Sequence, residues 1–309
     1  MSVGSPGNER RASLRAVRTA RHRAPAEAPD FSGSFRALGR LAYSGATVSA
    51  HVSDLARSDS ASTDDGVLVD IDDRVALPTA GLGTVLLLIE VAARITARDS
   101  TGFGILDKTP GDAVAEAGIW QHLQAPALPV TDLAALVGAT RDNLATNVLL
   151  RQVGLDAIRA RAESLGLART ALLDLARSNR GPDDAPQLSI GSTRELARLF
   201  AALSRGEVVD HVTSHRVLGW LSNGSDLSMV ASAFGLDPLS HRSADHGIQL
   251  INATGTDAGV RSEAAVLSGP RAGVAYAVTV RFDDTDLTTR LRVLEAMRAV
   301  GRDILEYVH

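Results

Sequence analysis

The sequence predicts an α+β protein, a three-layer α/β sandwich with an antiparallel sheet and an inserted all-α domain. Strand patterns lie near both ends of the 309-residue chain, and the stretch between them has helical periodicity. A closing helix follows the last strand pattern. Because strands from both ends must join one sheet, the helices between them are expected to form a separate unit inserted between its halves.

The first predicted elements are a β-hairpin and a central helix. Residues 47–52 alternate polar and apolar side chains, and a second strand pattern at 66–71 follows a polar turn, as in two antiparallel strands. The pattern becomes helical over 79–98. One apolar stripe of this helix consists of Val85, Leu88, Ile89 and Ala92. Such an apolar helix is expected to lie at the centre of the fold.

The rest of the chain continues as helices and then strands. A loop rich in Pro, Asp and Gly at 178–187 interrupts the helical part. Helices are predicted at 131–153, 155–165, 192–204 and 287–307. Strands are predicted at 248–252, 264–267 and 274–280. The predicted domains are a sandwich formed by 41–76 and 215–309 and an all-helical domain over 77–214.

Residues 1–40 form a basic segment that we expect to be a disordered arm. Eight arginines face three acidic residues there, so the arm carries +5 while the whole chain has a net charge of −4. The pair Arg10–Arg11 is not followed by the apolar run of an export signal, and we expect a cytoplasmic protein. Contact of this arm with RNA or lipid remains an alternative.

Composition excludes several kinds of chemistry. The chain has no cysteine, which removes disulfides, thiolate metal sites and cysteine nucleophiles. Of its 32 basic residues only Lys108 is a lysine, so a mechanism that needs two lysines is excluded. The negative net charge argues against general nucleic-acid binding. We expect a monomer without a cofactor, a metal site or a membrane-spanning helix.

Three segments carry the functional signal. They read Leu-Pro-Thr-Ala-Gly-Leu-Gly-Thr-Val-Leu-Leu at 77–87, Arg-Asp-Asn-Leu-Ala-Thr-Asn at 141–147 and Asn-Ala-Thr-Gly-Thr-Asp-Ala-Gly-Val-Arg at 252–261. In this order they resemble the Ser-x-x-Lys, Ser-Asp-Asn and Lys-Thr-Gly elements of class A β-lactamases and related serine hydrolases. The resemblance covers about 45–309. It implies the β-lactamase/transpeptidase-like fold, in which these three elements meet in one cleft.

The four catalytic positions that the resemblance implies are all substituted. Gly81 stands at the nucleophilic serine and Thr84 at its lysine, while Arg141 and Ala253 stand at the second serine and the second lysine. A glycine cannot attack a carbonyl group, and a threonine is no amine base. We therefore predict a non-catalytic member of the family with a retained cleft. The expected cleft residues are Arg141, Asp142, Asn143, Thr254, Gly255 and Thr256.

Two alternatives remain open. The chain is a hydrolase of esters or amides, β-lactams included, that acts through a displaced group such as Thr79, Thr84 or Thr140, or it is a relic without a ligand. Where the family carries the glutamate that activates water, the nearest carboxylate is Asp174. We expect Asp174 to fix its loop by pairing with Arg177.

The histidines give weaker signals. His211 and His215 are four residues apart on a predicted helix, and we expect a surface pair because no third metal ligand follows. His241, Asp245 and His246 are expected to be solvated loop residues.

Arg141 suggests what the cleft recognises. A guanidinium binds carboxylates and phosphates in bidentate fashion and keeps its proton at neutral pH. We therefore expect a small carboxylate- or phosphate-bearing ligand, with simple filling of the space above Gly81 as the alternative role of Arg141. Either role predicts that Gly81, Arg141, Asn143 and Thr254 meet at one cleft.

Overall fold

The computed structural model describes residues 30–57, 66–114 and 117–309. Among these residues, the α-helices are α1 (Ser32–Tyr43), α2 (Thr84–Thr96), α3 (Val130–Thr140), α4 (Asn143–Val153), α5 (Leu155–Ser164), α6 (Thr193–Arg205), α7 (His211–Leu221) and α8 (Leu287–Val308). The strands are β1 (Thr47–Asp54), β2 (Val67–Ile71), β3 (Leu77–Pro78), β4 (Ile105–Asp107), β5 (Ala127–Pro129), β6 (Ala171–Leu172), β7 (Ser189–Gly191), β8 (Gln249–Asp257), β9 (Val260–Ser268) and β10 (Gly273–Arg281). No described helix is both long and apolar enough to cross a membrane.

The main sheet joins strands from both ends of the chain. Its order is β2-β1-β10-β9-β8, and every neighbouring pair is antiparallel. Strand β1 pairs with β10 along its whole length, from Thr47 opposite Arg281 to Asp54 opposite Val274. The predicted α+β class, with an antiparallel sheet formed by strands from both ends of the chain, is therefore confirmed.

The two faces of the sheet pack against different helices. On one face, Tyr276 and Val278 of β10 belong to an apolar core with residues of α1 and α8. On the other face, small side chains such as Ala264 and Ala277 join the core of the helical region, residues 77–221. Alternate residues of a strand point to opposite faces, so each long strand serves both cores.

Helix α2 is the centre of the helical region. Every residue from Thr84 to Ala93 is buried, as its apolar composition predicts. Its one carboxylate, Glu90, accepts hydrogen bonds from Arg94 and Arg161, each at 2.8 Å. These two arginines neutralise a charge that would otherwise be expensive to bury.

Helix α1 lies inside the segment predicted as a disordered arm. Residues 32–40 of that segment are helical, while residues 1–29 lie outside the described residues. Leu38 and Leu41 are buried in the core that includes α8. In addition, the backbone N–H and the hydroxyl of Ser34 both donate to Asp303, at 2.7 and 2.8 Å. These contacts order α1 despite the arginines on its outer surface.

The single helix predicted over 131–153 is wrong, because it is broken at the candidate site. Helix α3 ends at Thr140 and is followed by Arg141, which has the left-handed backbone conformation with φ 54°. Asp142 then caps α4 by accepting a hydrogen bond from the Ala145 N–H at 2.9 Å. The predicted all-helical domain also contains five short strands, and its predicted end at residue 214 falls inside α7.

Glu263 on β9 is a fully buried carboxyl group that holds a turn onto the sheet. It accepts hydrogen bonds from the backbone N–H groups of Val230 and Ala231, at 2.8 and 3.3 Å. The Tyr276 hydroxyl and the Asn252 amide donate to its other oxygen, at 2.8 and 3.1 Å. Burial raises the pKa of Glu263 to about 7, although these hydrogen bonds oppose the shift.

We expect the stability difference between the parent and Glu263→Gln to depend on pH. The folded pKa of about 7 lies above the ordinary 4.5, so the protonated carboxyl stabilises the fold fully below pH 4.5. This contribution is lost as the pH rises to about 7. Relative to the variant, the parent should lose up to about 1.4 kcal/mol of unfolding free energy per pH unit across that window. Urea unfolding at several pH values measures this slope, and a constant difference would contradict it.

Candidate functional site

A cavity of about 300 Å³ opens where strand β8 meets the helical region. Gly81, Arg141, Asn143 and Thr254 all line it, so the structure brings together the residues that the sequence predicts to converge. A Cβ atom placed on Gly81 would lie 3.8 Å from both the Arg141 Cβ and the Thr254 carbonyl oxygen. Thr256 also lines the cavity, whereas Thr84, Asp142, Ala253 and Gly255 do not.

The turn that contains Gly81 is strained, and hydrogen bonds with Ser189 fix it in place. Ala80 has a left-handed backbone with φ 48°, which is unfavourable for a residue with a Cβ. The Ser189 hydroxyl donates to the Ala80 carbonyl at 2.7 Å, and the Thr79 N–H donates to the Ser189 carbonyl at 3.1 Å. Sequence reasoning gave neither residue a role, since Ala80 stands in the first segment just before the motif positions and Ser189 lies outside all three segments.

Gly255 lets strand β8 approach this turn. A Cβ atom on Gly255 would lie 2.0 Å from the Thr79 carbonyl oxygen and 2.9 Å from the Leu82 nitrogen. No side chain fits into that space, so Gly255 positions the site without lining it. This close contact sets the distance between the Gly81 turn and Thr254.

The two positions that the resemblance assigns to lysines hold short, buried side chains. The Thr84 hydroxyl donates to the Gly81 carbonyl at 2.7 Å, and Thr84 is 2% exposed. Ala253 is 1% exposed and belongs to the core of the helical region. Both side chains are buried in the protein interior, and neither lines the cavity.

Arg141, which the resemblance places at the second serine, lies against Gly81. A Cβ atom on Gly81 would contact the Cβ and Cδ atoms of Arg141 at 3.8 and 3.9 Å. The Nη2 atom donates to the Gly138 carbonyl at 2.9 Å, while the buried Nη1 has no hydrogen-bond partner among the described residues. Burial lowers the pKa of the guanidinium to about 10, partly opposed by the Asp226 carboxylate, so Arg141 remains charged at neutral pH.

Asp142 is a structural residue behind the cleft wall, which corrects its expected place among the cleft residues. It is fully buried, and one oxygen accepts hydrogen bonds from the Ile119 and Trp120 N–H groups, each at 2.8 Å. Its other oxygen caps α4. All its hydrogen-bonding capacity is directed at the backbone, because it joins two segments of the helical region.

A loop over residues 173–188 forms another wall of the cleft. The buried Asn147 side chain fixes this loop by donating to the Ala176 carbonyl at 3.0 Å and accepting from the Ala176 N–H at 2.9 Å. Sequence reasoning placed Asn147 in the second motif but gave it no role. The role emerges only when the loop and helix α4 are brought together.

Asp174 pairs with arginines within that loop. Arg177 and Arg180 both bind its carboxylate, at 2.8 and 2.6 Å. Burial alone would raise the pKa of Asp174, but the bonds from Arg177, the Leu175 N–H and Arg180 lower it below its usual range. Asp174 does not line the cavity, in keeping with the expected loop-fixing role. Arg177 also pairs with Asp184 at 3.1 Å.

Two further carboxylates line the cavity, and sequence reasoning missed both. Asp226 follows α7, and Asp257 ends β8. Neither makes an ion pair with another described residue within 4.0 Å. Ser225 fixes Asp226 beside the end of α3, because the Ser225 N–H donates to the Ala139 carbonyl at 3.0 Å. Asp226 is an isolated acidic residue in a loop, and Asp257 stands in the third segment at a position to which the motif gives no role.

Among the described residues, no histidine lines the cavity. The rings of His211 and His215 stack with their centres 6.4 Å apart on α7. The described chain holds no group of three or more His, Cys, Asp or Glu side chains able to bind a metal. His241 is buried rather than solvated as predicted, since its loop folds its ring inward and its Nδ1 lies 2.9 Å from the Asp237 carbonyl. Asp245 and His246 form an exposed pair.

Substitution by alanine should affect stability differently at Gly81 and at Gly255. Gly255→Ala places a Cβ atom against the Thr79 carbonyl, so it should lower the unfolding free energy by about 1–3 kcal/mol. Gly81→Ala meets ordinary contact distances and should leave stability unchanged or raise it by up to about 1 kcal/mol. Urea unfolding compares the two variants, and equal losses would show that β8 is not pressed against the turn.

Comparisons with known proteins agree with this architecture. The structure resembles a β-lactamase from Sphaerobacter thermophilus, with a TM-score of 0.75 and 20% identity over 90% of this chain and 97% of that one. It also resembles a β-lactamase from Xanthomonas campestris, with a TM-score of 0.73 and 13% identity over 91% and 100% of the two chains. A class A β-lactamase from Mycobacterium abscessus gives a TM-score of 0.68 and 18% identity over 88% and 99%.

At these identities the solved structures show a shared fold. No curated protein sequence matches the chain. The family described as "Beta-lactamase enzyme family" matches residues 32–308, which is most of the chain. The chain therefore belongs to the β-lactamase enzyme family.

Proposed function

We propose that this chain is a non-catalytic member of its family whose cleft binds a small ligand bearing a carboxylate or phosphate group. One observation carries the proposal. The Arg141 side chain lies against Gly81, where the family's nucleophile would stand, through its Cβ and Cδ atoms, and its Nη1 atom has no hydrogen-bond partner among the described residues. A buried donor without a partner costs about 1–3 kcal/mol, so an acceptor from a bound ligand would stabilise this arrangement.

The hydroxyl groups considered as replacement nucleophiles support the non-catalytic assignment. Thr79 bonds with Ser189, Thr84 donates to the Gly81 carbonyl, and neither lines the cavity. Thr140 lines it, but its hydroxyl donates to the Leu136 carbonyl of its own helix at 3.0 Å. An oxygen nucleophile needs a base within hydrogen-bond distance. None of these three hydroxyls bonds to an imidazole, an amine or a carboxylate within the described chain.

Arginine suits recognition better than proton transfer. A guanidinium with a pKa of about 10 keeps its proton at neutral pH and cannot act as a general base. It can donate charge-assisted hydrogen bonds to carboxylate or phosphate oxygens. Asn143 and Thr254, which line the cavity beside it, offer further donors.

The protein should not react with β-lactams. A fluorescent penicillin should leave it unlabelled, and its intact mass should not change after incubation with excess penicillin, because Gly81 offers no nucleophile. A catalytically active serine β-lactamase treated in parallel is the positive control. A stoichiometric adduct would overturn the non-catalytic assignment. In that case Thr140→Val tests whether the Thr140 hydroxyl is the displaced nucleophile.

Replacing Arg141 should weaken the binding of anions. Arg141→Ser should reduce the affinity for glutarate or inorganic phosphate roughly ten- to a hundredfold, since one or two charge-assisted hydrogen bonds are lost. Isothermal titration calorimetry measures this change.

Arg302→Ser is the matched control, because it removes the same charge from the exposed surface of α8. If Arg141→Ser binds both anions as tightly as the parent, Arg141 only fills space above Gly81.

A further inference from the structure

Besides Arg141, two charged groups of the cleft make no ion pair within the described chain, and Asp226 is less exposed than the other, Asp257. Asp226 lines the same cavity as Arg141, yet no basic side chain among the described residues lies within ion-pair distance of its carboxylate. The other arginines of the cavity are occupied, since Arg177 and Arg180 bind Asp174. Arg141 and Asp226 are therefore opposite charges in one cavity that do not neutralise each other by contact.

The Asp226 carboxylate is held in place with one oxygen unused. The Ser228 N–H donates to its Oδ1 atom at 3.0 Å, and the Asn252 amide donates to its backbone carbonyl at 3.1 Å. Its Oδ2 atom receives no hydrogen bond in the described part of the chain. A carboxylate fixed in this way presents a ready acceptor to the cleft.

Asp226 also lines a neighbouring cavity. This second cavity has a volume of about 410 Å³, shares Ser225 and Asp226 with the first, and is lined further on by Leu227, Leu236 and Pro238. Asp226 therefore borders two cavities.

We propose that the cleft recognises a zwitterion, a small molecule whose anionic group binds Arg141 and whose ammonium group binds Asp226. This inference rests on the proposed function, because it assumes that Arg141 binds the anionic end. Each charge of such a ligand meets the unpaired charge of opposite sign. A dianion would place its second charge near Asp226, and a diamine would place one near Arg141, so both bind less tightly.

Two sets of probes with matched carbon chains test this pairing. Glutarate, δ-aminovalerate and cadaverine share one chain length and differ in their end groups. Adipate, ε-aminocaproate and hexamethylenediamine repeat the comparison at a wider spacing. In each set that binds, calorimetry with the full-length protein should give the zwitterion about tenfold higher affinity than either of the other two probes.

Variants then identify the carboxylate. Asp226→Asn should weaken binding of the preferred zwitterion about tenfold and leave the dicarboxylate unchanged or more tightly bound. Asp132→Asn removes the same charge from an exposed residue of α3 that does not line the cavity, and it should change the affinity by no more than about twofold.

The outcomes separate this inference from the proposed function. If the dicarboxylate binds as tightly as the zwitterion, or if Asp226→Asn leaves zwitterion affinity unchanged, the ammonium site is wrong while anion binding at Arg141 stands. A diamine that binds more tightly than the zwitterion overturns the pairing of both charges. If no probe binds, or if Arg141→Ser has no effect, the proposed function fails and this inference fails with it.

Discussion

The cleft depends on one close approach between two backbones. Gly255 brings strand β8 so near to the Thr79 carbonyl that no side chain fits between them. Ser189 holds the opposite side of the same turn through the Ala80 carbonyl and the Thr79 N–H. These contacts offset the strain of the left-handed backbone at Ala80. Position 81 is therefore aimed at the cavity by backbone geometry, whichever side chain it carries.

The substitutions around this turn form a self-consistent set. Thr84 donates to the Gly81 carbonyl, and Ala253 packs in the core of the helical region. Arg141 covers the space above Gly81 with its stem. Thr84, Ala253 and Arg141 thus occupy the positions at which the resemblance implies two lysines and a serine. The remaining open volume is bordered by Arg141, Asn143, Thr254 and the loop that carries Asp226.

Most of the fold follows from patterns that the sequence displays. Alternation and helical periodicity identified the long strands and α2, and motif order predicted the meeting of Gly81, Arg141 and Thr254. The predictions failed where a contact distant in sequence decides the outcome. Helix α1 is ordered by Asp303, and the break at Arg141 leads into a cap, Asp142, that also binds the 119–120 backbone. The Asp226 carboxylate belongs to the cleft only because Ser225 bonds to the end of α3.

The contact distances around Gly81 determine which side chains position 81 can accept. A serine at that position meets no steric obstacle at its Cβ, so a nucleophile is a single substitution away. A lysine at position 84 or 253 would be harder to accommodate, because both positions are almost fully buried and an unpaired ammonium group there would be costly. The fold therefore accommodates a hydroxyl group at position 81 far more readily than an ammonium group at position 84 or 253.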